Sequence, residues 1–256
     1  ISHSYVNSRC KDTAFHDVTK FLKDKNFWGA LRNTAFFTLI TTPMLVITAL
    51  VLALLANRAT KLKKSLRVIF YLPSVLSVSI ASLIAKYTFT PYTGLINGTL
   101  HALGLLPKSE ELQWLQDPNL VWITISVMTV WWTIGFSMLL YLSALQDISP
   151  DVYEAASIDG ASSIQQLFRI VLPLLKPTTW LVFLLQMIAC FKVFGQIYMI
   201  TGGGPASSTR PLIQYIYENA FGKSNMGYAA AMSYVLFGIL LILSLAQQIL
   251  QRKGEE

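Results

Sequence analysis

The chain has 256 residues, of which 54% are hydrophobic and 13% charged, about half the charged share of an ordinary soluble domain. A formal net charge of +7 would suit a nucleic-acid partner, but the basic residues stand in short clusters at the ends of apolar blocks, where the positive-inside rule and lipid head groups place them. Two cysteines, Cys10 and Cys190, and three scattered histidines, His3, His16 and His101, supply neither a disulfide framework nor a metal-ligand set.

In chain order, a polar segment over 1–30 precedes the first apolar block. Five blocks, at about 31–57, 66–88, 119–145, 178–200 and 227–251, are long enough to cross about 30 Å of hydrocarbon at 1.5 Å per residue. None contains Asp or Glu. Lipid offers no partner to backbone N–H and C=O groups, and period-2 alternation is absent, so the fold predicted is all-α, a polytopic transmembrane helix bundle. Between the first two blocks, Arg58, Lys61, Lys63, Lys64 and Arg67 form a dense basic hairpin, which the positive-inside rule makes cytoplasmic. Alternation then puts 1–30, 89–118 and 201–226 outside, and 146–177 with the 252–256 tail inside. The basic residues of the first segment, among them Arg9, Lys11 and Lys20, run against this order, but the short hairpin weighs more. The outer connections carry Pro91, Gly94, Gly98, Gly104, Pro107 and Pro118 in one, and Gly202-Gly203-Gly204-Pro205 and Pro211 in the other, so both read as ordered loops.

The stretch 146–177 carries most of the functional information. Ser149 is placed to cap a short helix, with Pro150 at its first position and Asp151 against the dipole. Gly160 ends that helix, and Ser162 or Ser163 caps a second one, with Gln165 or Gln166 completing a capping box. The second helix would show Ile164, Leu167, Phe168 and Val171 on one face, until Pro173 and Pro177 break it. Ala155, Ala156 and Ser157 let another protein approach the first helix closely, and Glu154 supplies a charge as anchor.

In residue type and spacing, Glu154-Ala155-Ala156, Gly160 and Ile170-x-Leu172-Pro173 resemble the EAA loop of binding-protein-dependent ABC importer permeases. Asp159-Gly160-Ala161 and Leu172-Pro173-Leu174-Leu175 resemble the sugar-type branch, which includes maltose and glycerol-3-phosphate permeases. The resemblance extends to Phe27-Trp28 through Asn33-Thr34, to Phe70 to Pro73, and to Phe191-Lys192-Val193-Phe194 leading into Thr201-Gly202-Gly203-Gly204-Pro205. It implies a type I importer architecture in a prokaryotic cytoplasmic membrane. A second homologous permease subunit, two ATP-binding subunits and an external solute-binding protein would complete it. The permease domain would span 31–251, and a first helix is expected ahead of Ile1, since the family usually has six or more spans. Contacts at Glu154, Ala155, Ala156, Asp159, Gly160, Phe168, Leu172 and Pro173 would carry the motion of the ATPases to the permease.

Gly222-Lys223-Ser224 looks like the end of a phosphate loop, but the required first glycine is Tyr217. The chain is therefore expected to be a transport subunit without its own ATPase site or cofactor, with ATP and Mg on the partner. In sugar-type permeases the helices flanking the EAA loop line the translocation path. That implies a substrate path past Trp131, Trp132, Thr133 and Phe136 on one span and past Gln186, Ala189, Cys190 and Val193 on the next. The alternative is that these aromatics simply pack or sit in lipid. Lys192 reads either as a functional intramembrane cation or as a snorkelling one. An ion-coupled carrier would need titratable groups at mid-depth, and the five blocks contain no acidic residue.

Overall fold

The computed structural model describes residues 23–58, 63–107 and 109–253. Most of the 1–30 segment, Lys61 in the basic hairpin and the end of the 252–256 tail lie outside the described residues. Most of the described residues are helical, and there is no strand among them. We number the helices α1 (Lys25–Arg58), α2 (Lys63–Val75), α3 (Val78–Thr88), α4 (Leu95–Ala102), α5 (Leu120–Gln146), α6 (Pro150–Ile158), α7 (Ser163–Leu174), α8 (Lys176–Phe191), α9 (Gly195–Ile200), α10 (Leu212–Tyr217) and α11 (Met226–Lys253).

Among these, α1, α5 and α11 are long and apolar enough to cross a membrane unbroken, and two bent pairs raise the possible spans to five. The block 66–88 is therefore not the straight span its hydropathy suggests: α2 and α3 meet at 100°. Pro73 removes one N–H from the helical ladder, Leu76 N–H closes a tight turn on the Pro73 carbonyl at 3.1 Å, and Ser77 then caps α3. The block 178–200 is interrupted as well. Helix α8 ends at Phe191, residues 192–194 are not helical, and α9 resumes at Gly195.

In lipid, helices associate by close packing and by hydrogen bonds between them. Ala49, Ala53 and Ala56 make a small-residue stripe on α1, buried with Ile134, Met138, Tyr141 and Leu142 of α5 in the main core. Gly135 lets α2 cross α5, for a Cβ there would lie 2.7 Å from the Tyr71 Cα. Polar ties join the helices at intervals: Thr41 to Ser126 at 2.9 Å, Gln186 to Ser137 at 2.7 Å and Gln247 to the Trp180 carbonyl at 2.8 Å. A second core gathers Phe27 of α1, Met187 and Phe191 of α8, Leu212 of α10 and Met232 of α11.

Candidate functional site

The loop between α5 and α8 is built by local rules. Ser149 Oγ accepts from the Asp151 N–H at 3.3 Å at the start of α6, with Pro150 in the first turn. At the other end Gly160 takes φ +78°. Its N–H bonds to the Ser157 carbonyl at 3.1 Å while the Ala161 N–H reaches the Ala156 carbonyl at 2.9 Å, a Schellman closure that glycine makes cheaply. Ser162 then caps α7 in a reciprocal box: its N–H donates to Gln165 Oε1 at 2.8 Å and its Oγ accepts from the Gln165 N–H at 3.4 Å. Gln166 ties the two helices together, donating from Nε2 to Ser157 Oγ at 3.1 Å and to the Ala161 carbonyl at 3.2 Å.

One expectation fails in detail. Ile164, Leu167, Phe168 and Val171 do not share a face, because the chain forms a π turn over Leu167–Val171 that shifts the register within α7. Leu167 and Val171 pack into the main core, with Tyr153 of α6 beside them. Ile164 and Phe168 stand 70% and 63% exposed, and Ile158 reaches 86%. Glu154, Ala155, Asp159, Gly160 and Pro173 are exposed, Leu172 is half-buried, and Ala156 is buried against its own chain. Ala155 is thus the alanine available to a partner. Between the two short helices Ala156, Asp159, Gly160, Gln165 and Arg169 line an open groove of about 390 Å³. Helices α7 and α8 meet at 61° near Leu175, which turns the chain from this surface pair into the bundle.

The residues expected along a substrate path are dispersed. Gln186 is buried and spends its amide on Ser137, while Cys190 and Val193 belong to the main core. Their common face packs against other helices of the bundle, which periodicity could not reveal. Ala189 is exposed, as are Trp131 at 39% and Phe136 at 51%. Trp132 is half-buried and donates its indole N–H to the Leu76 carbonyl at 3.0 Å, and Thr133 bonds back to the Thr129 carbonyl at 2.7 Å. Lys192 is exposed in the break after α8.

At the opposite end of the bundle two ordered connections carry their own polar networks. Asn33 donates to the Ser207 and Arg210 carbonyls, both at 3.1 Å, and pins the 201–211 turn to α1. Lys25, Arg32, Asn33, Phe36, Trp122 and Arg210 help line a cleft of about 430 Å³ beside that turn. Burial alone would raise the Asp24 carboxyl. Hydrogen bonds from the Tyr215 and Tyr228 hydroxyls and from the Asn26 and Phe27 N–H groups outweigh that and hold it below the usual range. In the other connection, the Tyr92 N–H leads the donors that lower Glu111, with Asn97 and His101 adding to it.

A bundle with helices long and apolar enough to cross a membrane, bent at two places and carrying a capped, glycine-turned helix pair on one face, has the architecture of an integral membrane protein. The family model described as binding-protein-dependent transport system inner membrane component matches residues 27–254, and the chain belongs to that family. It is 36% identical over 225 residues to the sulfoquinovosyl glycerol transport system permease protein SmoG of Agrobacterium fabrum, covering 88% of this chain and 72% of that one. It is 35% identical over 236 residues to the lactose transport system permease protein LacF of Rhizobium radiobacter, covering 90% and 78%. Its fold is similar to that of a bacterial alginate ABC transporter crystallised with an alginate pentasaccharide-bound periplasmic protein. The TM-score is 0.83 at 24% identity, over 92% of this chain and 81% of the other. The chain is accordingly a multi-pass component of a bacterial-type inner membrane and an importer permease of ABC type.

Proposed function

We propose that this chain forms part of the path of an imported sugar or oligosaccharide, and that α6 and α7 dock into a separate ATPase on the cytoplasmic side. The observation that carries the docking is the exposed apolar set Ile158, Ile164 and Phe168, flanked by Glu154 and Asp159, on a helix pair locked by two caps and a Schellman turn. A rigid pair with an apolar, charge-flanked outer surface transmits displacement, whereas a frayed loop would absorb it. The buried side of the pair, Tyr153, Leu167 and Val171, grips the ends of α1 and α5, so motion imposed on the loop reaches the bundle. ATP and Mg would sit on the partner, and a second permease of similar fold would complete the pathway. The opposite face, with the 201–211 turn and the cationic cleft beside it, is the surface assigned to the external solute-binding protein. Sugar or oligosaccharide cargo is supported by the names of the relatives.

Reconstitution in proteoliposomes with the ATPase subunits and the solute-binding protein tests the docking. Glu154→Lys should leave the chain in the membrane, yet lower binding-protein-stimulated ATP hydrolysis and uptake together by tenfold or more, about 1.4 kcal/mol of lost coupling. Normal stimulation and uptake would reduce the loop to a connector.

A further inference from the structure

Along α1, Lys25, Gly29, Arg32 and Phe36 recur at i, i+4, i+7 and i+11, so they share one face of the helix. No charged residue lies between Arg32 and Arg58. The rise from Phe36 to Arg58 is about 33 Å at 1.5 Å per residue, close to the thickness of the hydrocarbon core. Phe36 therefore stands at one boundary of the hydrocarbon, and Arg32, one turn further out, stands in the head-group layer. Toward the bilayer centre the same side of α1 stays exposed and apolar through Leu39, Pro43 and Ile47.

The cleft of about 430 Å³ beside the 201–211 turn lies at this level. Lys25, Arg32 and Arg210 help line it, and no acidic residue does among the described residues. Phe36 and Trp122 line it too, edge to face with ring centroids 5.5 Å apart, an aromatic pair of the kind that sits at a membrane interface. The polar atoms here are unevenly used. Arg210 Nη1 pairs with Glu218 at 3.3 Å and Nη2 reaches Asn26 Oδ1 at 3.5 Å, but its buried Nε has no partner among the described residues. The buried Ser208 Oγ has none either. Lys25 and Arg32 are exposed and make no ion pair among the described residues. Snorkelling accounts for one exposed cation at a helix end. It does not account for cations from two elements converging on one cleft, nor for donors shut away from water without an acceptor, which is costly unless something meets them.

We propose that this cleft holds one anionic glycerophospholipid of the adjoining leaflet. Its phosphate sits among Lys25, Arg32 and Arg210, with Arg210 Nε–H and the Ser208 hydroxyl donating to phosphate oxygens, and its acyl chains run along Phe36, Leu39, Pro43 and Ile47. Glu218 offsets only one of the three cations, so the cleft keeps an excess of positive charge. A phosphatidylcholine would bring a cation of its own, and the site therefore selects an anionic head group. The inference goes beyond the transport function. It adds a lipid to the face assigned to the solute-binding protein, beside the turn that Asn33 pins to α1.

The test uses the complete transporter with its ATPase subunits, purified in detergent and stripped of lipid. Dioctanoyl phosphatidylglycerol and dioctanoyl phosphatidylcholine are titrated in turn, and bound lipid is counted by native mass spectrometry. The wild type should hold phosphatidylglycerol about tenfold more tightly than phosphatidylcholine, or better. Lys25→Gln combined with Arg32→Gln should retain at least one tightly held phosphatidylglycerol fewer per complex, while Lys86→Gln, at an exposed cation of α3, should retain the wild-type number. Co-purification of the ATPase subunits reports separately on assembly and on the docking proposed for α6 and α7. A wild type that binds the two lipids alike, or a double variant with the wild-type count, overturns the site. Displacement of the lipid by an equal concentration of inorganic phosphate would make it a free-anion site. Displacement by the solute-binding protein would give the cleft to that protein, and either displacement overturns the proposal.

Discussion

At Gly160 the chain enters the left-handed region at φ +78°, and no atom lies within 4 Å of where a Cβ would stand. The residue is therefore required by its backbone alone. A β-branched side chain there costs about 1–2 kcal/mol, whereas asparagine tolerates the left-handed region far better. We expect Gly160→Val to uncouple ATP hydrolysis from the binding protein and Gly160→Asn to retain most of the coupling, measured in proteoliposomes. Equal activity of the two variants would mean that the Schellman turn does not set the loop's geometry. Asp24 is a second residue with a legible task, since its carboxylate caps the start of α1 and receives the hydroxyls of Tyr215 and Tyr228. Its lowered pKa gives stability that is fully present above the ordinary carboxylate range and is lost as pH falls through the folded value. Asp24→Asn should lower Tm by a few degrees at neutral pH, on the order of 1 kcal/mol after allowing for solvent screening. The difference from wild type should close progressively below about pH 4. A difference that persists unchanged in acid would assign the effect to shape, not charge.

At the scale of helices, the closest approach is the crossing of α2 over α5 at Gly135. A methyl group there would meet the Tyr71 Cα at 2.7 Å and the Phe70 carbonyl oxygen at 2.9 Å, both backbone atoms that cannot turn aside. Gly135→Ala should cost about 1–3 kcal/mol and several degrees of Tm in detergent. Gly29→Ala, which meets nothing within 4 Å, should be neutral. Equal melting of the two would refute the crossing. This scale also shows what a sequence conceals. The caps at Ser149 and Ser162 and the turn at Gly160 were legible because each is settled within three or four residues. Hydropathy saw 66–88 as one span, since Pro73 and Ser77 break a helix without making the block less apolar. Gln186 looked like a ligand group because its partner, Ser137, stands 49 residues away. The face Ile164, Leu167, Phe168 and Val171 assumed 3.6 residues per turn, and the π turn removed that assumption.

For the whole molecule, the apolar blocks and the loop resemblance were enough to place the chain in its family, because a permease announces itself through long-range composition and one compact motif. What they could not place was the polar interior, where Ser82, Thr129 and Gln196 come from three separate elements. The fold gives the chain two faces joined by α1 and α5, one proposed to take ATP-driven force and the other to receive the solute. The most direct test is site-specific photo-crosslinking from position 168 in the assembled transporter, with position 207 on the opposite face as control. A photoreactive residue in place of Phe168 should form a covalent adduct with the ATPase subunit, and one in place of Ser207 should not. No adduct from 168, or an ATPase adduct from 207, would contradict the central claim that this loop is where the ATPase engages the permease.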